Sequence, residues 1–211
     1  MKVKLCGFTE ELSLLSAIEN KADFIGFIFH DKSPRNITPA KAAELAKLIP
    51  PHIQKVAVVV NPSLETLHNI AFNLQPQYFQ LHNVDNKERV LEIKKAFPQI
   101  KIIKAFAISN KIDLEQSIDF TDSADIFLFD NITAGSGKSF DFKILQNFSC
   151  SKNWFLSGGL NIDNIDEALK ITGAQMIDIS SGIEKERGKK SPELIHQFMQ
   201  CALHSTKRTS L

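Results

Sequence analysis

Short apolar runs recur along the chain at a regular spacing. They are rich in Val, Ile and Phe and are bounded by polar or turn-forming residues, which is typical of buried strands in a parallel sheet. The pattern predicts eight strands, which lie within VKLCGF (3–8), FIGFIF (24–29), QKVAVVV (54–60), YFQLH (78–82), KIIKAFAI (101–108), IFLFDN (126–131), NWFLSGG (153–159) and MIDISSG (176–182).

Helix start signals lie between these runs. Thr38 and Ser191 each precede a proline and an amphipathic segment, which predicts an N-cap followed by Pro at the first helical position. Thr9 and Ser63 are predicted N-caps of two further helices. Strand and helix therefore alternate about every two dozen residues, which indicates the α/β class with a parallel sheet.

An open doubly wound sheet and a closed barrel share this alternation. Eight units in 211 residues favour closure into a compact (β/α)₈ barrel. No Pro/Gly/Ser-rich linker divides the chain, so we predict a single barrel domain over residues 1–211, with residues 205–211 as a frayed tail.

Composition narrows the function classes. Lys plus Arg number 25 and Asp plus Glu number 24, so the net charge is +1, which gives no indication of a nucleic-acid partner. The apolar runs are too short to span a membrane, and the N-terminus has no apolar core of signal-peptide length, so we expect a cytoplasmic protein. Three cysteines without a C-x-x-C pair, and no H-E-x-x-H, predict neither a disulfide framework nor a metal site, and no cofactor is expected.

Polar residues end several of the predicted strands. In a (β/α)₈ barrel the active site lies at the carboxyl ends of the strands, so these residues are the candidates. Cys6 ends strand one, Asp130 ends strand six, and Gly/Ser clusters end strands seven (157–159) and eight (180–182). Asp130 could instead cap the next turn, and the clusters could be ordinary turns. Loops after strands seven and eight are the usual phosphate site of such barrels, so we expect a phosphate there.

Residues 135–139 read GSGKS, which invites comparison with a nucleotide-binding P-loop. That motif needs glycine at position 132, where the chain has Ile132. A Gly-rich loop over the site is the better interpretation.

Side-chain alternation places two charges inside the barrel. Residues two apart on a strand share a face, so Lys4 points the same way as Cys6, and Asp178 faces inward from strand eight. Strands one and eight are neighbours in a closed barrel. Because a lone buried charge is costly, we predict that Lys4 and Asp178 pair.

With these residues assembled, the chain resembles the phosphoribosylanthranilate isomerases, which are TIM barrels of the ribulose-phosphate-binding type. The resemblance rests on KLCGFT, GFIFHDKSPRNIT, FQLH, FLFDN followed by GSGKSFDF, LSGGLN and DISSGIE, in that order. It implies an Amadori rearrangement of an aminoaldose in tryptophan biosynthesis, catalysed by an acid and a base.

The resemblance also implies site roles. Cys6 would be the general base and Asp130 the general acid, with Lys4 stabilising the thiolate of Cys6. The implied substrate-binding residues are Arg35 near the anthranilate carboxylate, Asp178, and the backbones of Gly158, Gly159, Ser181 and Gly182 near the phosphate. The implied partner is thus a small phosphorylated molecule, and both a monomer and a homodimer are compatible with the fold.

The chain departs from the family pattern at three positions outside the proposed catalytic pair. Asn83 stands where Gly is usual, Phe142 replaces a common Trp, and Ser191 stands near a common Asp. Two alternatives are retained. One is another sugar-phosphate barrel enzyme, such as a ribulose-phosphate epimerase or an indole-glycerol-phosphate synthase, and the other is an inactive barrel that only binds a phosphorylated ligand.

Overall fold

The computed structural model describes residues 1–131 and 141–208, with side chains up to residue 204. The GSGKS segment at 135–139 lies outside the described residues, as do residues 209–211 of the expected tail. The backbone is helical through Arg208.

Eight parallel strands close into one barrel, in the order of the chain. The strands are β1 (Lys2–Cys6), β2 (Phe24–Phe29), β3 (Gln54–Val60), β4 (Tyr78–His82), β5 (Lys101–Ile108), β6 (Ile126–Asn131), β7 (Trp154–Leu156) and β8 (Met176–Ile179). Strand β1 pairs with both β2 and β8, which closes the sheet. The predicted (β/α)₈ barrel is confirmed.

Helices pack around the barrel between the strands. They are α1 (Glu11–Glu19), α2 (Pro39–Ala46), α3 (Leu64–Leu74), α4 (Lys87–Ala96), α5 (Lys111–Ser117), α6 (Ile165–Thr172) and α7 (Pro192–Arg208). The hydroxyls of Thr38 and Ser63 accept hydrogen bonds from backbone N–H groups in the first turns of α2 and α3, as predicted. The Thr9 prediction is wrong, because α1 begins later, after Glu10, without a side-chain cap.

Two connections depart from the simple repeat. The described part of the connection from β6 to β7 contains only a 3₁₀ helix, Phe142–Leu145, where an α-helix would complete the unit. After β8, a short 3₁₀ turn at Ser181–Ile183 leads into a hairpin of β9 (Glu184–Glu186) and β10 (Lys189–Lys190). This hairpin lies near the carboxyl ends of the strands, where it adds residues to the barrel mouth.

Buried side chains form an inner and an outer layer. The inner cluster fills the barrel and includes Cys6, Phe24, Val58, Tyr78, Leu128, Phe155 and Met176. Val3, Leu5, Ile177 and Ile179 belong to the larger cluster that packs against the helices. The predicted alternation along β1 and β8 is therefore confirmed, and it sends the polar residues of those strands toward the barrel axis.

Within the described residues, no helix combines the length and apolarity needed to cross a membrane.

Candidate active site

A cavity of about 290 Å³ opens at the carboxyl ends of the strands. Among the residues that line it are Cys6, Arg35, Asp130, Asp178, Gly158, Gly159 and Ser181. Most of the residues predicted for the site are thus brought together. Gly182 and Lys4 do not line the cavity, although both contact residues that do.

Lys4 lies under the cavity, fully buried, and pairs with Asp178. Its Nζ donates to Asp178 Oδ1 over 2.7 Å, and β1 and β8 place the two residues directly opposite each other. The predicted pair across the closing strands is confirmed. The second carboxylate oxygen of Asp178 accepts a hydrogen bond from the Ser157 hydroxyl over 3.2 Å.

Cys6 ends β1 with its thiol inside the barrel, 3% exposed. Its neighbour on β2 is Gly26, and a Cβ there would stand 2.7 Å from the Cys6 sulfur, so only glycine leaves the thiol its space. Burial raises the pKa of Cys6, whereas the positive charges of Lys4 and Lys190 lower it and Asp178 adds to the rise. Lys4 thus favours the thiolate, as predicted, but burial outweighs the two lysines and the thiol is the more stable form.

Asp130 lies one residue before the end of β6 and also lines the cavity. Burial, together with the negative charge of Asp178, raises the pKa of Asp130 to about 7. Its Oδ1 accepts a hydrogen bond from the Asn131 backbone N–H over 2.8 Å. A carboxyl group with this pKa is protonated in an appreciable fraction of molecules near neutral pH, as a general acid requires.

Arg35 lies in the cavity wall, but it already binds a carboxylate of the protein. Its Nε and Nη2 donate to the two oxygens of Glu184 over 2.6 and 2.9 Å. No sequence pattern had indicated this partner. The edge that remains for a ligand is formed by Nη1 and the second hydrogen of Nη2.

The two Gly/Ser clusters form adjoining loops. Gly158 and Gly159 have φ angles of +86° and +77°, which favour glycine, and within the described residues their backbone N–H groups donate to no other residue. Gly182 packs against the Leu160 carbonyl of the β7 loop, where a Cβ would overlap that oxygen. Gly182 therefore acts as a spacer between the loops rather than as a lining residue.

Sequence reasoning missed two polar side chains of β4. Gln80 and His82 both line the cavity, and the Gln80 amide lies 2.8 Å from His82 Nε2. Burial, with the nearby positive charges of Lys4 and Lys104, lowers the pKa of His82 to about 3, so its imidazole is neutral. His82 could have been identified from the sequence, because it is a polar residue at the end of a predicted strand.

A family model matches almost the whole chain. The model for N-(5'-phosphoribosyl)anthranilate isomerase matches residues 3–201. The chain belongs to this family. An isomerase of that name from Zymomonas mobilis subsp. mobilis is 41% identical over 206 residues, covering 95% of this chain and 97% of the relative. Another from Parvibaculum lavamentivorans is 34% identical over 211 residues, covering 96% and 98%.

Solved structures of phosphoribosylanthranilate isomerases have the same barrel. The crystal structure from Thermotoga maritima has a TM-score of 0.87 at 32% identity and covers 97% of this chain and 99% of its own. A further structure, in complex with reduced 1-(o-carboxyphenylamino)-1-deoxyribulose 5-phosphate, has a TM-score of 0.83 at 31% identity, with the same coverage. That ligand carries a carboxylate and a phosphate on an opened sugar.

Proposed function

We propose that this chain isomerises N-(5'-phosphoribosyl)anthranilate, a step of tryptophan biosynthesis, with Cys6 as the general base and Asp130 as the general acid. The observation that carries the proposal is that a buried thiol and a carboxyl group of raised pKa line one cavity. Family membership supplies the reaction, an aldose-to-ketose Amadori rearrangement in which C1 is reduced and C2 is oxidised within the substrate, so proton transfers suffice and no external oxidant or reductant is needed.

The first step is opening of the ribofuranose. Protonated Asp130 gives its proton to the ring oxygen, which leaves C1 as the sugar becomes an open chain with a free hydroxyl. The nitrogen lone pair forms a C1=N bond as the C1–O bond breaks. The product is a positively charged Schiff base, and its positive charge acidifies the proton on C2.

The second step is removal of that proton. The Cys6 thiolate takes it, and the electron pair of the C–H bond forms a C1=C2 bond while the C1=N electrons return to nitrogen. The resulting enolamine becomes the ketone when C1 gains a proton and the C2 hydroxyl loses one. Lys4 lies close enough to interact with the thiolate that starts this step.

The charges of the site suit this exchange. The buried ion pairs beside the cavity are formed by three cations, Lys4, Arg35 and Lys190, and by two anions, Asp178 and Glu184. Ring opening leaves Asp130 as a carboxylate while Cys6 is still a thiolate, and the positive charge that forms on the substrate balances the proton that Asp130 has given up.

Anchoring of the two anionic ends is assigned to other residues. The N–H groups of Gly158 and Gly159, which donate to no other residue among those the structure describes, are proposed to hold the phosphate together with the backbone of Ser181, while Gly182 keeps the two loops close together. The open edge of Arg35 is proposed to bind the anthranilate carboxylate. A cytoplasmic location remains a prediction from the composition.

The experiment follows the loss of phosphoribosylanthranilate fluorescence with purified protein. The wild type should consume the substrate, and Cys6→Ala and Asp130→Asn should each lower kcat by about 10²- to 10⁴-fold with a much smaller change in KM. Cys150→Ala, which alters a cysteine away from the cavity, is the control and should keep wild-type kcat. Folded wild-type protein that binds the substrate without consuming it would support the inactive barrel instead.

A further inference from the structure

A buried ionic network joins the proposed carboxylate anchor to the proposed base. Its centre is Glu184, the first residue of β9, with a side chain that is 4% exposed. Besides Arg35, the Glu184 carboxylate accepts hydrogen bonds from Lys190 Nζ over 2.7 Å and from the Gly188 backbone over 3.0 Å. Two cations and one anion are thus held together beside the cavity, and Arg35 is the member that lines it.

Lys190 extends the network toward Cys6. Its Nζ also donates to the Ser180 carbonyl over 2.8 Å and contacts the Ser180 hydroxyl over 3.2 Å. That hydroxyl donates to the Cys6 carbonyl over 3.1 Å. The network therefore runs without a break from Arg35 on the β2–α2 loop to the backbone of the proposed base.

We propose that Glu184 is a positioning residue for this reaction, because it orients Arg35 toward the substrate carboxylate and keeps Lys190 charged beside Cys6. The proposal rests on the proposed function and adds a carboxylate and a lysine to its machinery. Glu184 is not a catalytic residue, since its two oxygens are already occupied by Arg35, Lys190 and Gly188.

The geometry explains both effects. A guanidinium held by two parallel hydrogen bonds has a fixed plane, so its free edge is preorganised for a second carboxylate. Lys190 is 4% exposed, and burial lowers its pKa to about 8 even with Glu184 beside it. Loss of the Glu184 charge would lower that pKa further and so increase the neutral fraction of Lys190.

The charge of Lys190 bears on Cys6. The groups that face the Cys6 thiol are Lys4 and Lys190, which lower its pKa, and Asp178, which raises it. Those that face Lys190 are Glu184, Cys6 and Arg35. Neutral Lys190 would leave Lys4 as the cation beside the thiolate, and the pKa of Cys6 would rise.

Glu184→Gln tests the proposal, because it keeps the shape of the side chain and removes its charge. We expect KM for phosphoribosylanthranilate to rise about tenfold or more, since a charged hydrogen-bonding partner of Arg35 is lost. We also expect the rate of Cys6 alkylation by iodoacetamide, followed on the Cys6 peptide in the absence of substrate, to fall about threefold or more at pH of about 8.

Glu186→Gln is the matched control. Glu186 lies on the same hairpin with its side chain 59% exposed and pairs with Lys189, so this change should alter neither KM nor alkylation. A merely structural role for Glu184 predicts the opposite alkylation result, because a loosened cavity wall would expose Cys6 and speed its reaction. Unchanged or faster alkylation in folded Glu184→Gln would overturn the proposal.

A second variant separates the two branches of the network and serves if Glu184→Gln does not fold. Lys190→Gln removes the cation beside Cys6 and leaves the Arg35–Glu184 pair, so alkylation should slow while KM stays near the wild-type value. A raised KM with unchanged alkylation would contradict the proposal. Alkylation needs no turnover, so a wild type that fails to isomerise the substrate would remove the proposed function while leaving this result interpretable.

Discussion

Burial acts in opposite senses on Cys6 and Asp130, the two residues proposed to exchange protons with the substrate. It favours the protonated carboxyl of Asp130, which is the form an acid needs, and it disfavours the thiolate of Cys6, which is the form a base needs. Lys4 and Lys190 offset part of the second effect. When the two groups carry one proton between them, the carboxylate with a protonated thiol is the major form. The active form, in which Cys6 is a thiolate and Asp130 is protonated, is therefore the minor one.

The pH dependence of kcat/KM follows from this state. Below about pH 7, Asp130 and Cys6 both carry protons and no base is present. Above the raised pKa of Cys6, which lies beyond its ordinary value of 9.0, neither carries one and no acid is present. We expect a bell-shaped profile with its acid limb near 7 and its alkaline limb above 9.

The profile is measured with free enzyme at low substrate concentration. The residual activity of Asp130→Asn should lack the acid limb near 7, because the group that titrates there is gone. A wild-type rate that is constant between about pH 5 and 8 would contradict the assignment.

At the scale of elements, the site depends on close contacts between loops from different βα units. Gly182 lets the turn after β8 approach the Leu160 carbonyl after β7. Gly188, with φ of +87°, lets the β9–β10 hairpin approach Pro34 on the β2–α2 loop, where a Cβ would stand 2.8 Å from the Pro34 carbonyl oxygen. These glycines set the distances between the anchoring groups.

Gly182→Ala tests the contact between the loops after β7 and β8, which are proposed to bind the phosphate. The added methyl group must push the β8 turn away from Leu160, so kcat/KM should fall about 10- to 100-fold, as a misplacement of about 1 Å can cause. Steady-state kinetics and inhibition by inorganic phosphate would both report the change.

Gly173→Ala is the control for that variant. Gly173 ends α6 with φ of +65° and has open space around it, so alanine there should cost about 1–2 kcal/mol of unfolding free energy and leave KM unchanged. Wild-type kcat/KM in Gly182→Ala would show that the loop spacing does not matter for phosphate binding.

At the scale of the whole molecule, the Lys4–Asp178 pair joins the first strand to the last. Val3 and Leu5, on either side of Lys4, point into the outer core. The two strands that close the barrel therefore hold a buried ion pair among apolar side chains. A buried pair contributes little net stability against an apolar replacement, whereas the loss of one partner leaves an uncompensated charge.

Lys4→Met should therefore lower the unfolding free energy by about 3–5 kcal/mol, measured by urea denaturation. The double variant Lys4→Met/Asp178→Leu should recover much of that loss, because no unpaired charge remains. It should nevertheless be nearly inactive, since Cys6 loses its cation and the cavity loses Asp178. A double variant as unstable as Lys4→Met would mean that the pair itself supplies the stability.

The sequence by itself determined the strands and their order, and it singled out the two residues proposed to react. Strand alternation and helix caps are local properties, so five of the eight strands begin and end where the apolar runs do, as β2 and β4 illustrate. Closure of the barrel was predicted from the number of strand–helix units. The Lys4–Asp178 pair was predicted because alternate residues of a strand share a face and because the first and last strands of a closed barrel are neighbours. Cys6 and Asp130 stood out because polar residues end otherwise apolar strands.

Only the tertiary structure decided how these groups are held and charged. Arg35 and Glu184 are 149 positions apart, and their pairing depends on how the hairpin after β8 packs against the β2–α2 loop, which no local pattern encodes. The pKa of Cys6 likewise depends on its burial against Gly26 and on the balance of Lys4, Lys190 and Asp178. Desolvation and charge pairing are sums over neighbours in space, so they become readable only once the barrel has brought those neighbours together.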